Sequence, residues 1–476
     1  MIFTSVEYVI FFPIVLVMTL ILRGRPQIFF LTASSFIFYS AWNPPFTALL
    51  MITCLTDYGV ALVIDAKSDP VVRRRWIGFS VLVNLGMLGY FKYALFFLST
   101  AGQVVTAMGG SMPSFTLNVV LPIGISFYTF QSISYILDVY FRRMKPVRSF
   151  LDYCCFVSFF PQLVAGPIVR ANELIPQIEK RRRIIGERAI REGLRLLYRG
   201  FVKKAFVADT LGVMLVDPVF AQPGAYGALT LWLAMVGYAF QVYGDFSGYT
   251  DMGRGSAKLL GFDLPVNFNF PYISASIREF YQRFHITLAT WLRDYLFWAL
   301  LRTSKTFTSG ILLRNVLITF FLSGLWHGAN WTFIVWGLYL GVWLVMHTVW
   351  RRWRDRSGRE PAWAGTIGYG ALARVTTFVL ILLSLVIFRS PDLAAALRMF
   401  KGLFGFGPGG AQLISGQVLV IMAGVTITHL WSLLPPRLRY LEGVWFWVKD
   451  IGLGVVSVYI LINLISGARP FIYFQF

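Results

Sequence analysis

Apolar residues fall in long runs separated by short polar stretches, and most runs reach the roughly 20 residues that carry a helix across a bilayer. The first extends from Val6 to Leu22. Four more cover roughly 27–43, 47–65, 77–98 and 119–140. The stretches between them alternate in charge. Arg23 and Arg25 follow the first run, KSDPVVRRRW the third and FRRMKPVRSF the fifth. Asn43-Pro44-Pro45 and STAGQVVTAMGGSMPSFTLN, after the second and fourth, carry no charge. Loops rich in Lys and Arg stay cytoplasmic, so the N-terminus is expected outside. The run from Leu151 to Val169 breaks the alternation. It lies between two basic stretches and contains Pro161, Gly166 and Pro167, which predicts a re-entrant hairpin covered by protein or water.

Beyond it, Arg188, Arg191, Arg195 and Arg199 recur at three- or four-residue steps, with Leu194, Leu197, Tyr198 and Phe201 on the other side. This predicts a basic amphipathic helix on the cytoplasmic leaflet. Runs at roughly 205–220 and 226–243 predict a hairpin. The stretch 245–310 is too polar for a lipid-facing span and is expected to line a cavity; it holds GDFSGYTDMGRG, NFNFPY and REFYQRFHITLATWLRDYLF. Two apolar runs, ILLRNVLITFFLSGLW and WTFIVWGLYLGVWLVMHTVW, then flank a short turn and return to the basic RRWRDRSGRE. Spans at roughly 366–388, 416–434 and 443–466 complete the chain and leave GARPFIYFQF outside. The expectation is an all-α, polytopic transmembrane helical bundle with re-entrant and amphipathic helices. It forms one integral-membrane domain over 1–476 with about 12 crossings.

Composition agrees: 57% of the residues are hydrophobic and mean hydropathy is +0.65. The net charge of +21 is scattered between spans, which suits topology and contact with anionic lipid headgroups better than nucleic-acid binding. The first run has no positive residue ahead of it and no small-residue cleavage site after it, so it reads as a retained span. Cys54, Cys154 and Cys155 offer no disulfide framework and no zinc spacing.

Chemistry concentrates in FLSGLWHGANW, residues 321–331. His327 is a titratable ring in an apolar hairpin, a position that is expensive and usually functional. Gly324 and Gly328 would let a backbone or a substrate approach it, and Trp326 and Trp331 would wall it off from lipid. Of the other histidines, His347 and His429 sit in apolar runs and read as structural. His285 lies among Arg278, Glu279, Arg283, Arg293 and Asp294 and reads as part of a polar cavity. Asp245 and Asp251, in a Gly-containing loop, are expected to orient that cavity and pair with Arg254. No metal-ligand spacing, phosphate-binding glycine loop or nucleophile elbow is present. Two functions fit a buried histidine beside a polar groove. It can be a general base acting on a hydroxyl, or a proton relay in a multi-span transporter.

LPIGISFYTFQSISYILDVY, FFPQLVAGPI, GDFSGYTDM, NFNFPY, REFYQRFHITLATWLRDYLF and FLSGLWHGANWTFIVWG occur in this order between residues 121 and 337. In these motifs the chain resembles the membrane-bound O-acyltransferases, in particular the bacterial branch of the alginate O-acetyltransferase membrane subunit. Tyr281 and Phe284 stand where a tryptophan-rich version of one motif would be expected. The resemblance implies a bacterial inner-membrane enzyme with His327 and His285 as its catalytic histidines. It implies Trp326, Asn330, Asp245, Asp251, Asn267 and Asn269 as site-lining residues. It further implies no bound cofactor, acetyl-CoA as acyl donor, a secreted glycan as acceptor and an extracytoplasmic polysaccharide acetyltransferase as partner. The basic cytoplasmic surface would then favour the donor phosphates.

The ending FIYFQF resembles that of the small partner in teichoic acid D-alanylation, where a tyrosine is proposed to carry the acyl group. Residues 443–476 would then be a last span with a carrier-like tail and Tyr473 as acyl carrier. An aromatic belt of Phe471, Tyr473 and Phe476 at the outer interface is the other reading.

Overall fold

The computed structural model describes residues 1–110, 119–164, 166–180, 186–304, 308–358, 365–405 and 410–434. The expected last span at roughly 443–466 and the tail with Tyr473 lie outside the described residues. Among the described residues the chain is helical, with two isolated bridges, Tyr226–Ala411 and Phe268–Phe284, and no named strand. It groups into two compact units, Met1–Tyr198 with Thr250–Pro265, and Arg199–Tyr249 with Val266–Phe476.

Among the described residues five helices are long and apolar enough to cross a membrane: Phe46–Ala66, Pro70–Ala107, Ser309–His327, Trp331–Ser357 and Ile367–Arg389. Val6–Ile21 and Gly416–Trp431 are shorter apolar helices. The expected fifth span is Ile125–Tyr140, and almost all its side chains are buried inside the protein. Hydropathy measures apolarity and does not tell lipid from a protein core, which is why this helix read as a crossing. The stretch expected to be re-entrant forms two short buried helices, Phe150–Ser158 and Phe160–Leu163, broken at Phe159 before Pro161.

Two expected loops are helical. The basic KSDPVVRRRW enters a helix at Pro70, capped by the Asp69 carboxylate, which accepts the Val71 N–H at 2.8 Å. That helix continues to Ala107 through a π turn at Gly89–Tyr93 and measures about 57 Å at 1.5 Å per residue. GDFSGYTDMGRG likewise lies inside one 32-residue helix, Ala228–Leu259, and not in a loop. Glycine weakens a helix in isolation, but a β-carbon at Gly248 would sit 2.8 Å from the Gly200 carbonyl oxygen. Close helix packing explains that glycine better than a turn does. Nor do 205–220 and 226–243 form two simple spans. Glu187–Phe201 continues through π turns at Val202–Ala208 and Gly212–Val216 to Ala221, before the Ala228–Leu259 helix begins.

The Ser309–His327 and Trp331–Ser357 helices form an antiparallel pair joined at Gly328–Asn330. Thr308 caps the first, and the Asn330 side chain caps the second by accepting the Thr332 N–H at 3.1 Å. A β-carbon at Gly337 would overlap the Phe320 carbonyl oxygen and lie 3.0 Å from the Gly324 Cα. Glycines here let two helix backbones touch, the usual way for helices to gain packing in lipid. Gly337→Ala is therefore expected to destabilise the protein by about 1–3 kcal/mol through overpacking. The check is the thermal unfolding midpoint of the detergent-solubilised protein, which should fall.

Candidate active site

His327 is the last residue of its helix and only 7% exposed. Aromatic rings enclose it edge-on: Trp326 at 4.8 Å, Trp336 at 4.8 Å and Phe388 at 5.5 Å between centroids. Trp336 and Phe388 also meet each other at 5.0 Å. Trp331, expected to shield the histidine from lipid, is 48% exposed, and Trp336 takes that place. Trp336 lies on the second helix of the hairpin, six residues past the turn, and the close packing of the two helices brings it onto His327. Gly324 and Gly328 do not open a path for substrate. A β-carbon on either would overlap Phe333, so both serve close packing.

His285 is 3% exposed and begins the Ile286–Trp291 helix with φ of 47°, a left-handed conformation that a side chain rarely adopts. The NFNFPY stretch holds it there. The Asn267 carbonyl accepts the Ile286 N–H at 3.0 Å, and the Asn269 N–H donates to the Arg283 carbonyl at 2.8 Å. Asn267 Oδ1 accepts from the Thr287 N–H at 3.1 Å and the Thr287 hydroxyl at 2.9 Å. The backbone donor fixes which end of the amide faces this way. His285 Nδ1, 3.3 Å from the same oxygen, must then carry the proton, which leaves the lone pair on Nε2. This local network makes a precise single-ring arrangement out of a strained backbone.

Both histidines line one cavity of about 570 Å³. Along the Trp331–Ser357 helix its wall contains Trp336, Leu340, Leu344, His347, Arg351, Arg352 and Asp355, a single helical face. From Trp336 to Arg352 that face runs about 24 Å. One end therefore holds His327, the middle is apolar, and the far end is rich in arginine. Arg278 and Arg293 line the same cavity. Arg293 bonds Asp294 at 2.7 Å, and Arg351 reaches Asp355 at 3.8 Å. Arg278 and Arg352 make no ion pair among the described residues. His347, expected to be structural, belongs to this wall, and the clue was Arg351 one turn further on. His429 is packed among rings, with Tyr243 at 4.8 Å, and its Nδ1 bonds the Val425 carbonyl at 2.9 Å.

The remaining expected site residues divide. Asn267 supports the site through His285 without itself lining the cavity. Trp326 packs against His327 and stands 6.2 Å from His285. Asn330 is a helix cap, and its amide also donates to the Pro391 carbonyl at 2.9 Å. Asn269 is exposed and acts through its backbone. Asp245 does not pair with Arg254. It receives the buried Lys204 ammonium at 2.5 Å, and Lys204 also reaches Asp209 at 2.8 Å. Asp251 does approach Arg254, at 3.7 Å. On one helix, six residues apart, the two aspartates point to different faces. Neither lines the cavity. Among the described residues no group of His, Cys, Asp and Glu could hold a metal ion.

The sequence profile of MBOAT, the membrane-bound O-acyltransferase family, matches residues 142–386, a stretch containing both histidines. The probable alginate O-acetylase AlgI of Azotobacter vinelandii is 37% identical over 443 residues, covering 91% of this chain and 85% of that protein. The chain belongs to the membrane-bound O-acyltransferase family. This acyltransferase is also similar to the peptidoglycan O-acetyltransferase of Helicobacter pylori, 34% identical over 80% of this chain and 74% of that protein. The teichoic acid D-alanyltransferase of Streptococcus thermophilus is 30% identical over 56% and 68%.

Asn267→Ala would strand the Thr287 donors and release His285, at a cost of about 1–3 kcal/mol for the buried groups left unpaired. Unfolding midpoint and acyltransfer rate should both fall, whereas Asn267→Asp, which keeps the acceptor, should retain more of each.

Proposed function

We propose that this acyltransferase takes an acetyl group from acetyl-CoA on the cytoplasmic side of a bacterial inner membrane and delivers it for O-acetylation of a secreted polysaccharide. One observation carries the reading. A single cavity joins an arginine-rich end to an apolar shaft that ends at His327. The basic end includes Arg351 and Arg352, which open the stretch RRWRDRSGRE that the positive-inside rule assigns to the cytoplasm. Arg278 and Arg352 would meet the phosphates of the donor, since guanidinium forks bind phosphate oxygens well. The apolar shaft suits the pantetheine arm and brings the thioester to the histidine. His327 then takes the proton of the attacking hydroxyl as general base. His285, with its lone pair on Nε2, lines the donor path. The names of the relatives support a glycan acceptor: alginate, peptidoglycan and teichoic acid appear in them. An extracytoplasmic acetyltransferase protein would complete the transfer to the polymer.

His327→Ala should insert and fold normally, and polymer acetylation should fall about 10²–10⁴-fold, the usual share of a general base. The readout is acetate released from the polymer by mild base, and normal release would refute the role.

Tyr473 is the proposed relay for the acyl group. Its phenol is the strongest nucleophile in FIYFQF, and a phenyl ester keeps a good leaving group for a second transfer. Tyr473→Phe retains the ring an interface anchor needs but removes the hydroxyl. Acetate on the polymer should vanish in that variant while donor binding persists; unchanged acetylation excludes a carrier.

A further inference from the structure

The walls of the cavity change character over the last helical turn before His327. One turn back, Ser323 and Ser384 line it, the latter with its hydroxyl committed to the Ile381 carbonyl at 2.7 Å. At the level of His327 the lining is Trp336 and Phe388. These rings are locked. Phe388 contacts His327, Trp336 and also Phe333, the last at 4.9 Å and 82°. The 4% exposure of Phe388 leaves it no room to swing, because close-packed interiors do not yield to an added methylene without strain. Trp336 is held from behind by the Gly324–Gly337 backbone contact one residue away.

We infer that Phe388, with Trp336, sets the acyl length this enzyme accepts, admitting two carbons and rejecting four or more. The inference rests on the reading of His327 as the base and of a CoA thioester as the donor. In the transfer, the acceptor oxygen bonds the thioester carbonyl carbon as its proton passes to His327. The tetrahedral adduct collapses, the C–S bond breaks, and the proton passes from His327 to the departing sulfur. The products are an ester and a free thiol. For this to happen the carbonyl carbon must lie beside the imidazole, between the serine level and the ring level. The alkyl end of the acyl group then faces Phe388 and Trp336. A methyl fits against such a wall, and each further methylene meets an aromatic edge. One methylene in a tight apolar pocket commonly changes selectivity 10–200-fold.

The test uses S-ethyl-, S-propyl-, S-butyl- and S-hexyl-CoA thioethers, which are not cleaved, binding to the full-length protein in detergent. In the wild type, affinity should drop at least tenfold between the ethyl and butyl compounds. Phe388→Ala should raise butyl-CoA affinity relative to ethyl-CoA at least tenfold. Phe388→Leu, which keeps most of the packing should the alanine variant fail to fold, should recover it in part. In cells, base-released acids from the Phe388→Leu strain should include butyrate when butyryl-CoA is raised. Equal wild-type affinity across the series, or an unchanged profile in both variants, overturns the length filter but leaves the donor reading intact. Failure of every thioether to bind the wild type overturns the donor reading, and the filter with it.

Discussion

Two helix backbones touch at Gly324 and Gly337, and the candidate site is built outward from that contact. In lipid there is little hydrophobic force between helices, so close approach and dispersion hold them together. The approach places Trp336 against His327, and Phe388 closes the remaining side. Asn330 finishes the arrangement by capping one helix and tethering the turn to the Pro391 carbonyl. A histidine at a helix end would otherwise be free to turn. Here three rings hold it in one orientation.

The second demand is that polar groups away from water be satisfied by the protein itself. The segment from Asn267 to Arg302 meets it with irregular backbone: short helices, a π turn at Leu292–Phe297 and a left-handed His285. Asn267 absorbs the consequences, serving a main-chain N–H, a hydroxyl and an imidazole with one oxygen. Lys204, 2% exposed at its side chain, is likewise balanced by Asp245 and Asp209. Removing either carboxylate would leave a buried charge short of a partner, so this group reads as scaffold for the helix that carries Val242 to the cavity.

His327 was legible because a charged-capable ring between two apolar runs has few structural excuses. His285 was legible from the density of charge around it. Asn267 and Asn269 stand alike in the motif, and only the structure shows that the Asn267 side chain is buried against His285 while that of Asn269 is exposed. The glycines around Asp245 resemble a loop in sequence, although each of them faces a neighbouring helix. Phe388 carries no local signal, and His347 reads as structural from its apolar run. They are ordinary residues of apolar helices, about 60 and 20 positions from His327, and become site residues only when three helices take a common register.

Residue order alone determined that this is a helical membrane protein, and it singled out the Ser309–Ser357 hairpin as the candidate site. Those properties depend on apolar run length and local charge, which are one-dimensional. Tertiary structure decided which apolar helices face protein instead of lipid, which polar residues merely hold backbone in place, and which rings close the cavity at His327. Hydropathy assigns the same value to a leucine in lipid and a leucine in a core. Only helix packing, through contacts between residues far apart in the chain, distinguishes them.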